Sequence, residues 1–204
     1  MRSKIGIRVK TIPVWVYILI IALICATVTL ALSSFGVVKL SYKVVPSETE
    51  QLFLQVLVDQ DYYYSMLDDL RSANSTIYVA MYEMKYDPDD SFDWANDLIR
   101  ELVNAKQRGI NVSVAIEYRT YFGYMDVNLP AYNYLLSNGV NVKLDNETDT
   151  DHLKLVIIDN KIVYVGSHNW SESALYYNHE TSVRIVSEET AQIFIEYLED
   201  NYGA

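Results

Sequence analysis

The sequence predicts an α/β domain preceded by one membrane-crossing helix, and three observations carry that prediction. From about Asp59 onward the hydrophobic pattern alternates between the helical period and the period of two that marks strands. The helical stretches stop at glycines and give way at once to β-branched runs. Ahead of them, Val14 to Leu32 is apolar, small or weakly polar throughout and carries no charge.

That run is long enough for a helix to cross ~30 Å of hydrocarbon. Arg2, Lys4, Arg8 and Lys10 precede it, so the positive-inside rule keeps the N-terminus in the cytoplasm and sends the rest outward. Lys39 and Lys43, on the far side, act against that orientation. A cleaved signal peptide is the rival, because Ala31-Leu-Ser33 has the small-x-small pattern, yet the apolar run exceeds the usual ~7–15 residues of such a segment. The chain therefore divides into a basic cytoplasmic stretch (1–13), a transmembrane anchor (14–32), a linker (33–58) and a folded extracytoplasmic domain (59–204). Gly36, Pro46 and Ser47-Glu-Thr-Glu50 interrupt short apolar pieces in the linker.

Within the domain, Tyr63, Met66, Leu67 and Leu70 share one helical face and lead into the strand Ser75 to Tyr82. Asp93 is placed to cap a helix whose Trp94, Leu98, Leu102 and Ala105 align, with Gly109 as its stop and Val112 to Ile116 as the next strand. The pattern recurs from Pro130 to Gly139, followed by the strand Val140 to Leu144. Two strands, Leu153 to Ile158 and Ile162 to Val165, flank the turn Asp159-Asn160-Lys161. A strand from Thr181 to Val186 and a helix from Glu188 to about Asn201 complete the domain.

Charge narrows the function. Six of the 16 Lys+Arg precede residue 44, where no Asp or Glu occurs, so ten basic residues face all 27 acidic ones in the remainder, a net −17. Such a body repels polyanions at long range, which disfavours a binder that neutralises many phosphates while leaving room for a local phosphate pocket. The one cysteine, Cys25, lies in the apolar run, so the domain has no thiol for a disulfide, a thiolate metal site or a nucleophile.

The chemistry concentrates in His152-x-Lys154-x4-Asp159. A spacing of two on a strand projects His152 and Lys154 from one face. Imidazole can attack phosphorus and leave again near neutral pH, while an ammonium stabilises charge on the non-bridging oxygens, a pairing that requires no metal or other cofactor. Downstream, Gly166 permits a tight turn, Ser167 and Asn169 offer neutral donors, and Glu180 could accept the Nδ1 proton of His152. A zinc site built from His152, His168, His179 and a carboxylate is the competing arrangement, although the spacing fits no known metal motif.

His152-x-Lys154-x4-Asp159 followed by Gly166-Ser167-x-Asn169 resembles the HKD signature of the phospholipase D superfamily. Glu180 stands where that family carries its histidine-orienting carboxylate. The resemblance extends over Ser75 to Tyr82, the Ala105-Lys-Gln-Arg-Gly109 helix end, Asn138-Gly139-Val140 and the terminal helix, and it is greatest to the compact single-motif branch of small bacterial endonucleases and membrane-anchored cardiolipin hydrolases. It implies an α-β-α sandwich with a mixed central sheet. It further implies phosphohistidine formation at His152, phosphate held by Lys154 and Asn169 with Ser167 in support, and Asp159 and Gly166 as structural parts of the signature.

Such chemistry uses two histidines, one as nucleophile and one as acid for the leaving oxygen, and the chain holds one motif. The resemblance thus implies a homodimer with a shared active site. The substrate expected is a phosphodiester, with a phospholipid favoured by the anchor and DNA or RNA as the alternative. A catalytically inactive membrane scaffold is the reading from another class. The many tyrosines are expected to serve core and interface packing, and the aromatic loop Tyr118 to Asn128 to border the cleft.

Overall fold

Seven strands hydrogen-bond into one mixed sheet of order β1-β7-β6-β5-β2-β3-β4. The protein is described here from a computed structural model, which covers residues 52–90, 92–118, 127–145 and 150–203. The expected cytoplasmic stretch, the anchor, most of the linker and residues 119–126 of the aromatic loop lie outside the described residues. Among the described residues, no helix is long and apolar enough to cross a membrane.

The strands are β1 (Phe53–Val58), β2 (Thr76–Met81), β3 (Asn111–Ile116), β4 (Asn141–Leu144), β5 (Lys154–Ile158), β6 (Ile162–Gly166) and β7 (Thr181–Val186). The helices are α1 (Asp61–Ser72), α2 (Trp94–Gln107), α3 (Leu129–Ser137) and α4 (Glu188–Tyr202). β2, β3 and β4 run parallel, because the helices between them return the chain to the same end of the sheet, whereas β5, β6, β7 and β1 pair antiparallel. Ile77, Val79, Met81, Val156 and Ile158 bury one face of the sheet with residues of α1 and α2 such as Met66, Leu70, Leu98 and Leu102. Ala80, Leu155, Ile157 and Val163 bury the other with Ala191, Ile195 and Leu198 of α4. The α-β-α layering expected of the sequence is thus formed.

Local signals worked where they were chemical. The Asp93 carboxylate accepts from the Ala95 N–H at 2.8 Å and caps α2. Gly109 and Gly139 adopt φ of 91° and 76°, the left-handed conformation that lets each helix stop and the next strand begin.

The linker assignment needs correction at its end. Phe53–Val58 is a strand, paired in register with β7 from Phe53↔Val186 to Val58↔Thr181. Only Leu57 of β1 is buried, so the strand lacks the alternation that identifies a half-buried one, and its partner lies more than a hundred residues away. A single π-type turn at Ser173–Tyr177, closed by the Asn178 N–H on the Ser173 carbonyl at 2.8 Å, was likewise not signalled by periodicity.

Candidate active site

The sheet register gathers the signature residues other than Asp159 at one end of the strands. Lys154 pairs with Met81 at the C-terminal end of β2, and Gly166 at the end of β6 pairs with Ser182 at the start of β7. Ser167, Asn169 and Glu180 follow or precede those positions directly, so one sheet end carries them with His152. It is also the end at which the parallel strands terminate, the usual location of ligand sites in α/β sheets.

His152 stands two residues ahead of Lys154, just outside β5, with its side chain exposed. Its ring packs against Tyr82, centroids 4.4 Å apart and planes at 57°. Lys154 is 8% exposed, and its Nζ lies 4.6 Å from the centroid of the same Tyr82 ring while donating to the His152 carbonyl at 3.2 Å. Burial pushes the Lys154 ammonium below its ordinary pKa, and the nearby carboxylates of Glu180 and Glu83 pull it partly back. Imidazole and ammonium therefore share one wall, as the spacing predicts, although the wall is made by an aromatic side chain and not by the strand alone.

Glu180 is engaged differently from the expectation. Its carboxylate accepts from the Ser167 hydroxyl and, at 3.3 Å, from Asn178 Nδ2, and it forms no hydrogen bond with His152 within this chain. Its N–H donates to Asp59 Oδ1 at 2.9 Å. Ser167 also accepts the Thr181 N–H at 3.0 Å, so both residues lock the β6–β7 junction as well as lining the site. Among the described residues, the buried amide oxygen of Asn169 has no hydrogen-bond partner, a state uncommon in folded proteins.

Gly166 is required for a reason other than a tight turn. Its φ is not positive, and a Cβ there would lie 2.4 Å from the Ser182 Cα and 2.5 Å from the Thr181 carbonyl. The glycine lets β6 and β7 approach so that Ser167 reaches Glu180. Asp159 is not in the pocket at all, because it sits at the opposite end of β5, roughly 17 Å away by strand rise. There it accepts the N–H groups of Asn74 (3.0 Å), Ser75 (2.7 Å) and Thr76 (3.3 Å) and the Ser75 hydroxyl (2.9 Å). Burial raises its pKa, and these donors outweigh burial and hold it below the ordinary carboxylate value.

The other two histidines do not join His152 in a metal site. His168 is fully buried, stacked on Tyr62 at 4.3 Å, with Nδ1 on Ser182 Oγ (2.7 Å) and Nε2 on the Asp59 carbonyl (2.9 Å). Burial lowers its pKa, partly opposed by the Asp59 carbonyl and the charge of Glu180. His179 extends into solvent and meets Asp59 Oδ2 at 3.3 Å. Among the described residues, the group whose ligand atoms converge for a cation is Glu117, Asp145 and Asp151, with no histidine in it.

Two contributors to the site were missed by sequence reasoning. Tyr82, read only as the last residue of a strand, forms the wall described above. Asn128, buried ahead of α3, donates through Nδ2 to the carbonyls of Tyr82 (2.9 Å) and Glu117 (2.8 Å) and accepts the Met84 N–H (2.8 Å), tying together the segments that follow β2 and β3. An aromatic residue directly after a parallel strand and an asparagine directly before a helix were the available signals.

Comparison with known proteins accords with this geometry. The family model described as cardiolipin synthase, PLD-like domain, matches residues 66–201. Mitochondrial cardiolipin hydrolase from Canis lupus familiaris is 32% identical over 93 residues, which cover 46% of this chain and 35% of that protein. The match thus spans about a third of the length of that relative. Among solved structures, Nuc from Salmonella typhimurium, a phospholipase D family member, superposes with a TM-score of 0.64 at 27% identity, over 75% of this chain and 95% of that one. NucT from Helicobacter pylori, at 21% identity and a TM-score of 0.57 over 74% of this chain and 96% of its own, shares the fold. With a matching model over most of its length and His152, Lys154, Ser167, Asn169 and Glu180 gathered at one end of its sheet, the chain belongs to the phospholipase D-like family.

Proposed function

We propose that the protein is a membrane-anchored phosphodiesterase that acts through a phosphohistidine intermediate. The observation that carries this reading is the sharing of one aromatic wall by His152 and Lys154. In the first step His152 attacks phosphorus, the bond to the leaving oxygen breaks, and that oxygen takes a proton. In the second step water attacks the phosphohistidine, gives up a proton, and regenerates the imidazole. Lys154 and the N–H groups of the Asn169 side-chain amide stabilise charge on the non-bridging oxygens. The chemistry asks for no cofactor, because the ammonium supplies the positive charge.

The acid for the leaving oxygen comes from His152 of a second copy in a homodimer. Within one chain His168 has both ring nitrogens engaged and His179 is paired with Asp59, which supports that assignment. A phospholipid is the favoured substrate. It is supported by the likeness to a cardiolipin hydrolase, by the acidic body and by the charge-free run Val14 to Leu32, which would place the site extracytoplasmically beside a bilayer. A metal-independent nuclease is the second reading, favoured by the match to nearly the whole of Nuc.

The test is to incubate the full chain with phosphorus-labelled phosphatidyl lipids and, separately, labelled single-stranded DNA and RNA, with chelator throughout. A labelled covalent adduct stable to base and absent from His152→Ala is expected, formed from lipid in preference to polynucleotide. Label from polynucleotide alone selects the nuclease, and no label from any substrate selects a scaffold without turnover.

A further inference from the structure

The expected orienting carboxylate, Glu180, is turned to Ser167 and Asn178, which leaves open what holds the His152 ring within a subunit. The same question applies to Lys154, whose flexible stem loses rotamer freedom when its head is fixed. One side chain touches both. Tyr82 presents its ring to the imidazole at 4.4 Å and to the ammonium at 4.6 Å, well inside the range in which a cation is drawn to an aromatic face.

Tyr82 is itself firmly placed. Its N–H donates to the Leu153 carbonyl at 2.8 Å, extending the β2–β5 ladder by one residue, and its own carbonyl accepts from the buried Asn128 at 2.9 Å. The backbone on either side of the ring is thus tied to the strand that carries Lys154 and to the start of α3. Its side chain is half-buried, and no hydrogen bond involves its hydroxyl among the described contacts, so the contacts that matter are those of the ring.

We infer that Tyr82 is a positioning residue for the reaction proposed above, holding the His152 imidazole and the Lys154 ammonium in mutual register through its ring face and not through its hydroxyl. The inference rests on that reading of the site for its consequence in turnover, and on the ring contacts alone for its structural content. An apolar side chain of similar bulk would fill the space without drawing the ammonium or orienting the imidazole. A second aromatic ring would do both.

Three variants of the full chain test it: Tyr82→Phe, Tyr82→Trp and Tyr82→Leu, each compared with wild type in kcat and KM on the preferred phosphodiester. Phe and Trp are expected to keep kcat within about twofold, and Leu to lower it about tenfold with KM little changed. In parallel, the three histidines are labelled with carbon-13 and the His152 ring signals identified by their loss in His152→Ala. The His152 ring protons are expected to show an upfield ring-current displacement in wild type and Tyr82→Phe, lost in Tyr82→Leu. A Leu variant with wild-type kcat and unmoved His152 signals overturns the inference, as does a Phe variant that falls as far as Leu. Should the wild type turn over no phosphodiester, the functional reading fails while the resonance arm still decides whether the ring holds His152.

Discussion

The two ends of β5 carry the two halves of one sequence signature and are built on opposite principles. At the Asp159 end, every donor that the carboxylate can take is supplied by Asn74, Ser75 and Thr76, so the charge is stabilised and the turn is fixed. At the Lys154 end, an ammonium is buried against one carbonyl and an aromatic face with the carboxylates of Glu180 and Glu83 near it, a histidine stands exposed, and an amide oxygen has no partner among the described residues. A satisfied end contributes stability, whereas an under-satisfied end is held in place by the rest of the fold and keeps its capacity for a ligand. Residues that lie within seven positions of each other in one motif thus do different work.

The largest effect should come from removing the exposed group at the under-satisfied end. His152→Ala is expected to lower kcat/KM by about 10³-fold or more, with little change in melting temperature, as read by steady-state kinetics and calorimetry. Lys154→Met should follow, with a loss of about 10²–10³-fold in kcat and a melting temperature equal to or above wild type, because a partly desolvated cation has been exchanged for an apolar chain. A large loss of stability in either variant would erase the contrast between the ends.

The mirror experiment is Asp159→Ala, expected to cost about 2–3 kcal/mol in denaturant unfolding and to leave the specific activity of the folded fraction near wild type. Gly166→Ala should cost about 1–3 kcal/mol, because β6 and β7 must separate to admit the methyl group, and should also lower activity by displacing Ser167 from Glu180.

The smallest effect is a matter of pH. The folded pKa of Asp159 lies below its ordinary value of 3.8, so its contribution is complete above that value and is lost as pH falls through the folded pKa. The stability gap between wild type and Asp159→Asn should therefore be constant near neutrality and close only in acid, below about pH 4. A gap that instead closes between pH 6 and 8 would assign the effect to a different group.

Much of the fold was legible because it is written in local chemistry. The α2 cap at Asp93, the stops at Gly109 and Gly139, and the turn at Asp159-Asn160, where φ reaches 55° and 52°, all depend on residues close in the chain. β1 was illegible because its strand character comes from β7 and not from its own pattern. In the site, the pairing of His152 with Lys154 was legible from a spacing of two, while the partner of each was not. Tyr82 is about seventy residues away in sequence, and Glu180 had the choice of His152 or Ser167, which only the approach of β6 to β7 decides.

The sequence alone therefore determined the spacing of the imidazole and the ammonium, the alternation of helix and strand that carries them, and the charge-free run that precedes them. Only the tertiary structure decided that Asp159 would serve the far end of the strand, that Gly166 is needed for the close approach to Ser182, and that one aromatic ring would touch both imidazole and ammonium. The reason is physical. Periodicity and capping act over a few residues, whereas the partner of a buried polar group is set by which strands are neighbours and in what register, and that is a property of the whole sheet.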